Sequence, residues 1–279
     1  MNLPPRTPPV VVGIEREQPG LLHYAHSWAE RWNAPLRVVH AYSFLDVASE
    51  LYSSDDGTSA QDRAQEVIDD ARDYLEELGP VPLEFSLNDG PATAVLEMES
   101  KHASAVVVGT DDVSRMRRFV GAEVARHVAM HSYAPVFVVP FGTRVQELRD
   151  VVLEIDEHNI ADGPIRFAFE TASRAGARLR VMHVVPRTVY LADPAQHGAH
   201  LTRLVETWQS RYPDAKVSPS LVCGDVQDEA VIASTSAQLM VVGRPNEPHH
   251  GQLFGLHVAE EVVRRSQCPV VVVPGEYQP

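Results

Sequence analysis

Apolar residues along this chain fall into two alternating patterns. Short runs such as "PVVVGI" (9–14), "LRVVHAY" (36–42), "AVVVGT" (105–110) and "PVFVVP" (135–140) are rich in valine and apolar at consecutive positions. A strand that reads apolar on both faces fits a parallel sheet covered by helices on both sides. Between these runs lie "GLLHYAHSWAERWN" (20–33), "AQDRAQEVIDDARDYLEELG" (60–79), "PATAVLEMESKHA" (91–103) and "GAEVARHVAMHS" (121–132). Their apolar residues recur at spacings of three and four, as in amphipathic helices. The order β-α-β-α-β-α-β-α-β predicts a doubly wound α/β sheet with right-handed crossovers. Ligands of such sheets collect beyond the carboxyl ends of the strands, where the strand order reverses.

The pattern occurs twice. "SAVVVGTDDVSRMRRFVGAEVARHVAMHSYAPVFVVP" (104–140) aligns with "QLMVVGRPNEPHHGQLFGLHVAEEVVRRSQCPVVVVP" (238–274), so that Gly109, Gly121, Pro135 and Pro140 meet Gly243, Gly255, Pro269 and Pro274 at a constant offset of 134. Gly90 and Gly224 share that offset. Earlier in each copy, "APLRVVHAY" (34–42) matches "ARLRVMHVV" (177–185) at 143, and "VVVGIE" (10–15) matches "VVLEID" (151–156) at 141. The drift in offset places variable middle loops at 43–60 and 186–200. Two copies of one domain are expected, 1–143 and 144–279, joined near "FGTRVQEL" (141–148). The first strand then ends at Glu15 or Asp156 and the fourth at Gly109 or Gly243, and these ends define the candidate site.

Composition narrows the function. The net charge is −14, and both halves share it: residues 1–143 carry 21 acids and 11 bases, and the remainder 17 and 13. Neither half shows the basic excess that nucleic acid or an anionic membrane surface requires. No stretch approaches the apolar length of a membrane helix, and "MNLPPRTPPVVVG" lacks a signal-peptide apolar region. Two cysteines, Cys223 and Cys268, are too few for a disulfide framework and read as packing residues. A cytoplasmic protein is expected.

Together "VVVGIE", "APLRVVHAY", "GPATAVLEMES", "AVVVGT", "VGAEVARHVAMHSYAPVFVVP" and, in the second copy, "CPVVVVP" resemble the universal stress protein family, over essentially the whole chain and in tandem. The resemblance implies two five-stranded sheets of order 3-2-1-4-5 and a role in stress adaptation. It also implies fifth strands paired antiparallel, here across the copies, which would cover two apolar sheet edges. Some members bind ATP through a loop Gly-x2-Gly-x9-Gly-Ser/Thr after strand four, with an Asp closing strand one. Glycines there let backbone N–H groups approach phosphate, and the hydroxyl adds a donor.

Both loops depart from that form. The first keeps Gly109 but has Asp112 in the second glycine's place, reaches Gly121 after 12 positions where the pattern needs 13, and follows it with Ala122. The second keeps Gly243, has Asn246, reaches Gly255 after the same 12, and follows it with Leu256. Each lost donor to a charged group removes roughly 1–3 kcal/mol, so two or three losses weaken a triphosphate by orders of magnitude. Asp111 and Asp112 add repulsion. Arg115, Arg117 and Arg118 either supply phosphate contacts in place of the glycines or form a solvated loop face. At strand one, Glu15 replaces the Asp, followed by "REQ" (16–18); the second copy keeps Asp156 but has Glu154 where the first has Gly13. Glu15 and Asp156 serve either a ligand or a helix cap. Ala41 and Val184 stand at the strand-two ends that meet adenine in binders, beside His40 and His183, each a pocket contact or a satisfied buried histidine.

"PHHG" (248–251) with His257 lacks an acidic or cysteine partner at metal-site spacing and reads as exposed loop. No Ser-His-Asp or Cys-His order recurs in both copies, and no "GK[ST]" is present. Three functions follow. The first is a non-enzymatic regulatory or interaction module with a degenerate nucleotide site in each copy, no tightly held cofactor and an unidentified protein partner. The second is a switch that holds ATP or AMP in a divergent site. The third, an adenylating or phosphatase-like enzyme, needs a catalytic constellation that the sequence does not supply. Further association into a homodimer is open. If the fifth strands pair within the chain, proteolytic cleavage near residue 144 leaves two halves that migrate together in size-exclusion chromatography; freely separating monomeric halves refute the pairing.

Overall fold

Val10, Val11 and Val12 are all fully buried at consecutive positions, so both faces of the first strand are covered, as its unbroken apolar run requires. In the computed structural model, which describes residues 7–42, 59–110, 120–143, 149–155, 161–192, 194–244 and 254–278, the chain divides into two units, Met1–Arg144 and Val145–Pro279.

The first unit runs β1 (Val10–Ile14), α1 (Pro19–Trp32), β2 (Leu36–Tyr42), α2 (Ala60–Glu76), β3 (Leu83–Asp89), α3 (Ala92–Ser100), β4 (Ala105–Gly109), α4 (Val120–His131) and β5 (Val136–Val139). Its strands are parallel in the order β3-β2-β1-β4-β5. The second unit repeats the plan with β6 (Asp150–Ile155), α5 (Asp162–Ala175), β7 (Arg178–Val185), α6 (Arg187–Ala192), α7 (Pro194–Gln209), β8 (Lys216–Cys223), α8 (Val226–Ser234), β9 (Ala237–Gly243), α9 (Phe254–Arg265) and β10 (Val270–Val273). Its order is β8-β7-β6-β9-β10, again parallel. Counted from its own first strand, each unit is the expected 3-2-1-4-5.

Local chemistry sets the helix ends. Ser59 caps α2 by accepting from the Asp62 amide at 3.1 Å, and Asp62 accepts from the Ser59 amide at 3.1 Å, which completes a capping box. The Ser59 hydroxyl, which donates to the Asp62 carboxylate at 2.7 Å, and then the Ser59 amide hold the Asp62 carboxyl below its ordinary pKa. α1 and α5 both stop at left-handed residues, Asn33 with φ 51° and Gly176 with φ 62°, the usual way to satisfy the last carbonyls. Leu22, Ala25, Trp28 and Ala29 form the buried stripe of α1. Trp28 meets Phe137 of β5 with ring centroids 4.3 Å apart. Among the described residues, no helix is long and apolar enough to cross a membrane.

Two expectations change. Residues 186–200 are largely helical (α6 and the start of α7), where drift in the repeat offset suggested loop. The reason lies downstream: Leu201, Val205 and Trp208 of α7 are buried, and that apolar stripe carries its helix back to Pro194. Cys223 is exposed at the end of the outer strand β8 and is not a packing residue, whereas Cys268 is buried. Burial pushes the Cys268 thiol up to about 11.

Gly163 opens α5 beneath the chain's final segment. It donates to the Gly275 carbonyl at 3.1 Å, and Tyr277 packs edge-on against Phe167 with centroids 5.3 Å apart. A Cβ at Gly163 would stand 2.6 Å from the Gly275 oxygen and against the Pro274 oxygen. At the equivalent Gly20 the nearest atom, the Thr143 oxygen, is 4.0 Å away. Gly163→Ala is therefore expected to cost about 1–3 kcal/mol in urea denaturation, while Gly20→Ala is neutral or slightly stabilising; equal effects would refute the packing role.

Candidate functional site

In the first unit the carboxyl ends of β1 and β4 open into a cavity of about 520 Å³, within the range of small-molecule sites. Gly13, Val39 and Val108 form its floor, with Leu96 of α3 above them. The β1–α1 turn supplies Glu15 and Gln18, the first turn of α3 supplies Ala92 and Thr93, and α4 supplies Glu123, Arg126 and His127. This is the switch point of a doubly wound sheet, where helices leave to opposite faces.

Of the residues singled out in the sequence, Glu15, Ala41, Gly109 and Gly121 line this one cavity. Ala122 lies in the first turn of α4, exposed. Asp111, Asp112, Arg115, Arg117 and Arg118 fall outside the described residues, as do Asp156, Asn246 and the "PHHG" segment. In the second unit Val184 is buried near the end of β7, Gly243 closes β9, and Gly255 belongs to the start of α9.

The strand-four glycines have a packing role. A Cβ on Gly109 would stand 3.2 Å from both Gln18 Nε2 and Leu21 Cδ2 at the start of α1. On Gly243 it would stand 3.2 Å from Pro164 Cγ at the start of α5. Each bare backbone thus admits the neighbouring helix. Gln18 also turns its side-chain oxygen to the Glu15 amide at 3.1 Å, which fixes the turn that carries the Glu15 carboxylate.

The paired histidines are satisfied and buried. His40 Nδ1 donates to the Ile14 carbonyl at 2.9 Å, and His183 Nδ1 to the Ile155 carbonyl at 3.1 Å. A carbonyl only accepts, so in both rings the proton sits on Nδ1. Each bond ties the end of a second strand to the end of a first strand, and in the first unit Ile14 lines the cavity. The same economy recurs elsewhere: Ser100 Oγ accepts from the Tyr133 amide at 3.0 Å, and Ser234 Oγ from the Gln267 amide at 3.1 Å.

Thr93, Glu123, Arg126 and His127 carried no signal in the sequence, because they come from two helices and converge only in space. His127 Nε2 lies 3.5 Å from a Glu97 carboxylate oxygen. Among the described lining residues, Arg126 is the lone arginine or lysine, against the carboxylates of Glu15 and Glu123. Counted over these three groups the wall carries a net charge of −1 (one guanidinium against two carboxylates), which opposes multiply charged anions. Among the described residues, no group of three or more His, Cys, Asp or Glu could hold a metal ion.

A duplicated, doubly wound α/β domain with a crevice at its switch point is the class that fold and geometry define. The model of the Universal stress protein family matches residues 8–140 and again 147–274; the chain belongs to that family. A universal stress protein of Mycobacterium tuberculosis is 26% identical over 294 residues, covering 98% of this chain and 99% of the relative. Another from the same organism is 27% identical over 285 residues, covering 94% and 95%. Among solved structures, a universal stress protein from Archaeoglobus fulgidus shares the fold with a TM-score of 0.72 at 16% identity, covering 96% of each chain. A putative universal stress protein from Pseudomonas aeruginosa does so with a TM-score of 0.64 at 17% identity, covering 96% and 93%.

The histidine bond gives a direct test. His40→Ala strands a buried carbonyl and opens a cavity, so a loss of about 2–4 kcal/mol is expected in chemical denaturation. His40→Asn, which keeps a donor near Nδ1, should recover part of it; Asn and Ala costing the same would refute the bond's role.

Proposed function

We propose that this chain is a non-enzymatic stress-adaptation protein, a regulatory module in which neither loop holds ATP tightly. One observation carries most weight: a Cβ on Gly109 or Gly243, the glycines each loop retains, would stand 3.2 Å from the start of a helix, so glycine there has a packing reason independent of phosphate. The other marks of a triphosphate cradle are replaced by Asp112, Ala122, Asn246 and Leu256. No recurring nucleophile and base supports catalysis.

The cavity of the first unit favours a second role alongside the first. Its volume suits a nucleoside monophosphate, and Arg126 with the start of α4 favours one phosphate. Glu15 and Glu123 oppose the higher charge of ATP. The first unit is accordingly a low-affinity site for a compact adenine nucleotide such as AMP, whose occupancy alters the module.

Mass spectrometry of the purified protein should find no stoichiometric nucleotide. Calorimetry should place AMP at roughly 10⁻⁴ M or weaker, and Mg-ATP no tighter. Co-purified nucleotide at one equivalent, or low-micromolar ATP binding, would overturn the loss of tight binding. Complete failure of AMP to bind at millimolar concentration would overturn the second role alone.

A further inference from the structure

Gly13 and Leu96 form one contact at the floor of the first-unit cavity. A Cβ at Gly13 would stand 2.8 Å from Leu96 Cδ1 and 3.0 Å from Cδ2, closer than packed carbon atoms approach. The leucine tip therefore occupies the space that any strand side chain would need. Leu96 is 3% exposed, and both residues line the cavity.

α3, which carries Leu96, is anchored at both ends. Before its start Gly90 donates to the Tyr42 carbonyl at 2.8 Å. At its end Ser100 Oγ accepts from the Tyr133 amide at 3.0 Å. Bulk added between β1 and α3 is therefore taken up first by the flexible leucine tip, and the open side toward which it can move is the cavity. The second copy varies the two positions reciprocally. Its aligned residues are Glu154 on the strand and Ala230 on the helix, a larger strand residue facing a smaller helix residue.

We propose that Leu96, seated on the bare backbone of Gly13, is the specificity-determining residue of the first-unit cavity and sets the size of the base it admits. This rests on the assignment of a nucleoside monophosphate to that cavity. Gly13, Val39, Val108 and Leu96 make one part of the lining apolar, while Glu15, Gln18 and Arg126 make another polar. An apolar floor gives a phosphate no partner, so the phosphate stays with the polar groups. The base, flat and largely apolar, lies on the floor. A methyl group of extra bulk beneath it overpacks the site and weakens binding roughly tenfold. A purine, which is larger than a pyrimidine, loses more.

The test is NMR titration of the full-length chain with AMP and with CMP, read on the valine methyl groups, with circular dichroism as a check of folding. In the unaltered chain AMP is expected to shift the Val39 and Val108 methyls and to bind more tightly than CMP. G13A should weaken AMP at least about tenfold and CMP no more than about threefold. L96F, which adds bulk from the helix side, should do the same and serves in place of G13A if that variant does not fold. G13A/L96A should return AMP to within about threefold of the unaltered chain. AMP affinity unchanged in G13A and L96F, equal losses of AMP and CMP, or no recovery in a folded G13A/L96A would overturn the size rule. AMP that binds without shifting Val39 or Val108 leaves the nucleotide assignment standing and overturns the size rule alone. If the unaltered chain binds neither nucleotide, the assignment fails and the size rule falls with it.

Discussion

The rest of the structure depends on the complete burial of the central strands. Val10 to Val12, Val106 and Val107 have no exposed surface, and a strand buried on both faces must have helices above and below. Helices cannot all lie on one side, so the connections from β1 and β4 leave in opposite directions and part at the strand ends. That parting is the crevice. The cavity is therefore a by-product of how valine-rich parallel strands are covered, and it would form with or without a ligand to fill it.

The strands and main helices could be read from periodicity because burial imposes the periodicity. The run at 9–14 became Val10–Ile14, and the helical spacing at 20–33 became Pro19–Trp32. Residues whose role depends on a distant partner could not be read this way. His40 offered two meanings until the Ile14 carbonyl appeared beside Nδ1. The cavity wall of Thr93, Arg126 and His127 joins α3 to α4 across more than thirty residues with no motif. The segment at 186–200 read as loop because the comparison between copies saw only a change of length, while its helix is held by Leu201, Val205 and Trp208. Cys223 is exposed because an apolar neighbourhood in sequence gives no cover at the end of an outer strand.

The two units show which features a duplicated scaffold must keep. The histidine bonds to Ile14 and Ile155, and the serines that receive the Tyr133 and Gln267 amides, are alike in both because each satisfies a backbone group the fold itself creates. At the strand ends the copies differ: Gly13, against which Leu96 packs, stands where the second copy has Glu154, and Arg126 where it has Glu260, while the strands keep their register.

The approach of Gln18 and Leu21 to Gly109, and of Pro164 to Gly243, has a wider consequence. A Cβ at either position would stand 3.2 Å from its neighbour, so the start of a helix would have to give slightly to admit it, with or without a nucleotide. A glycine at the end of a fourth strand is therefore first a mark of how the sheet is covered, and its presence alone is no sign of a bound phosphate.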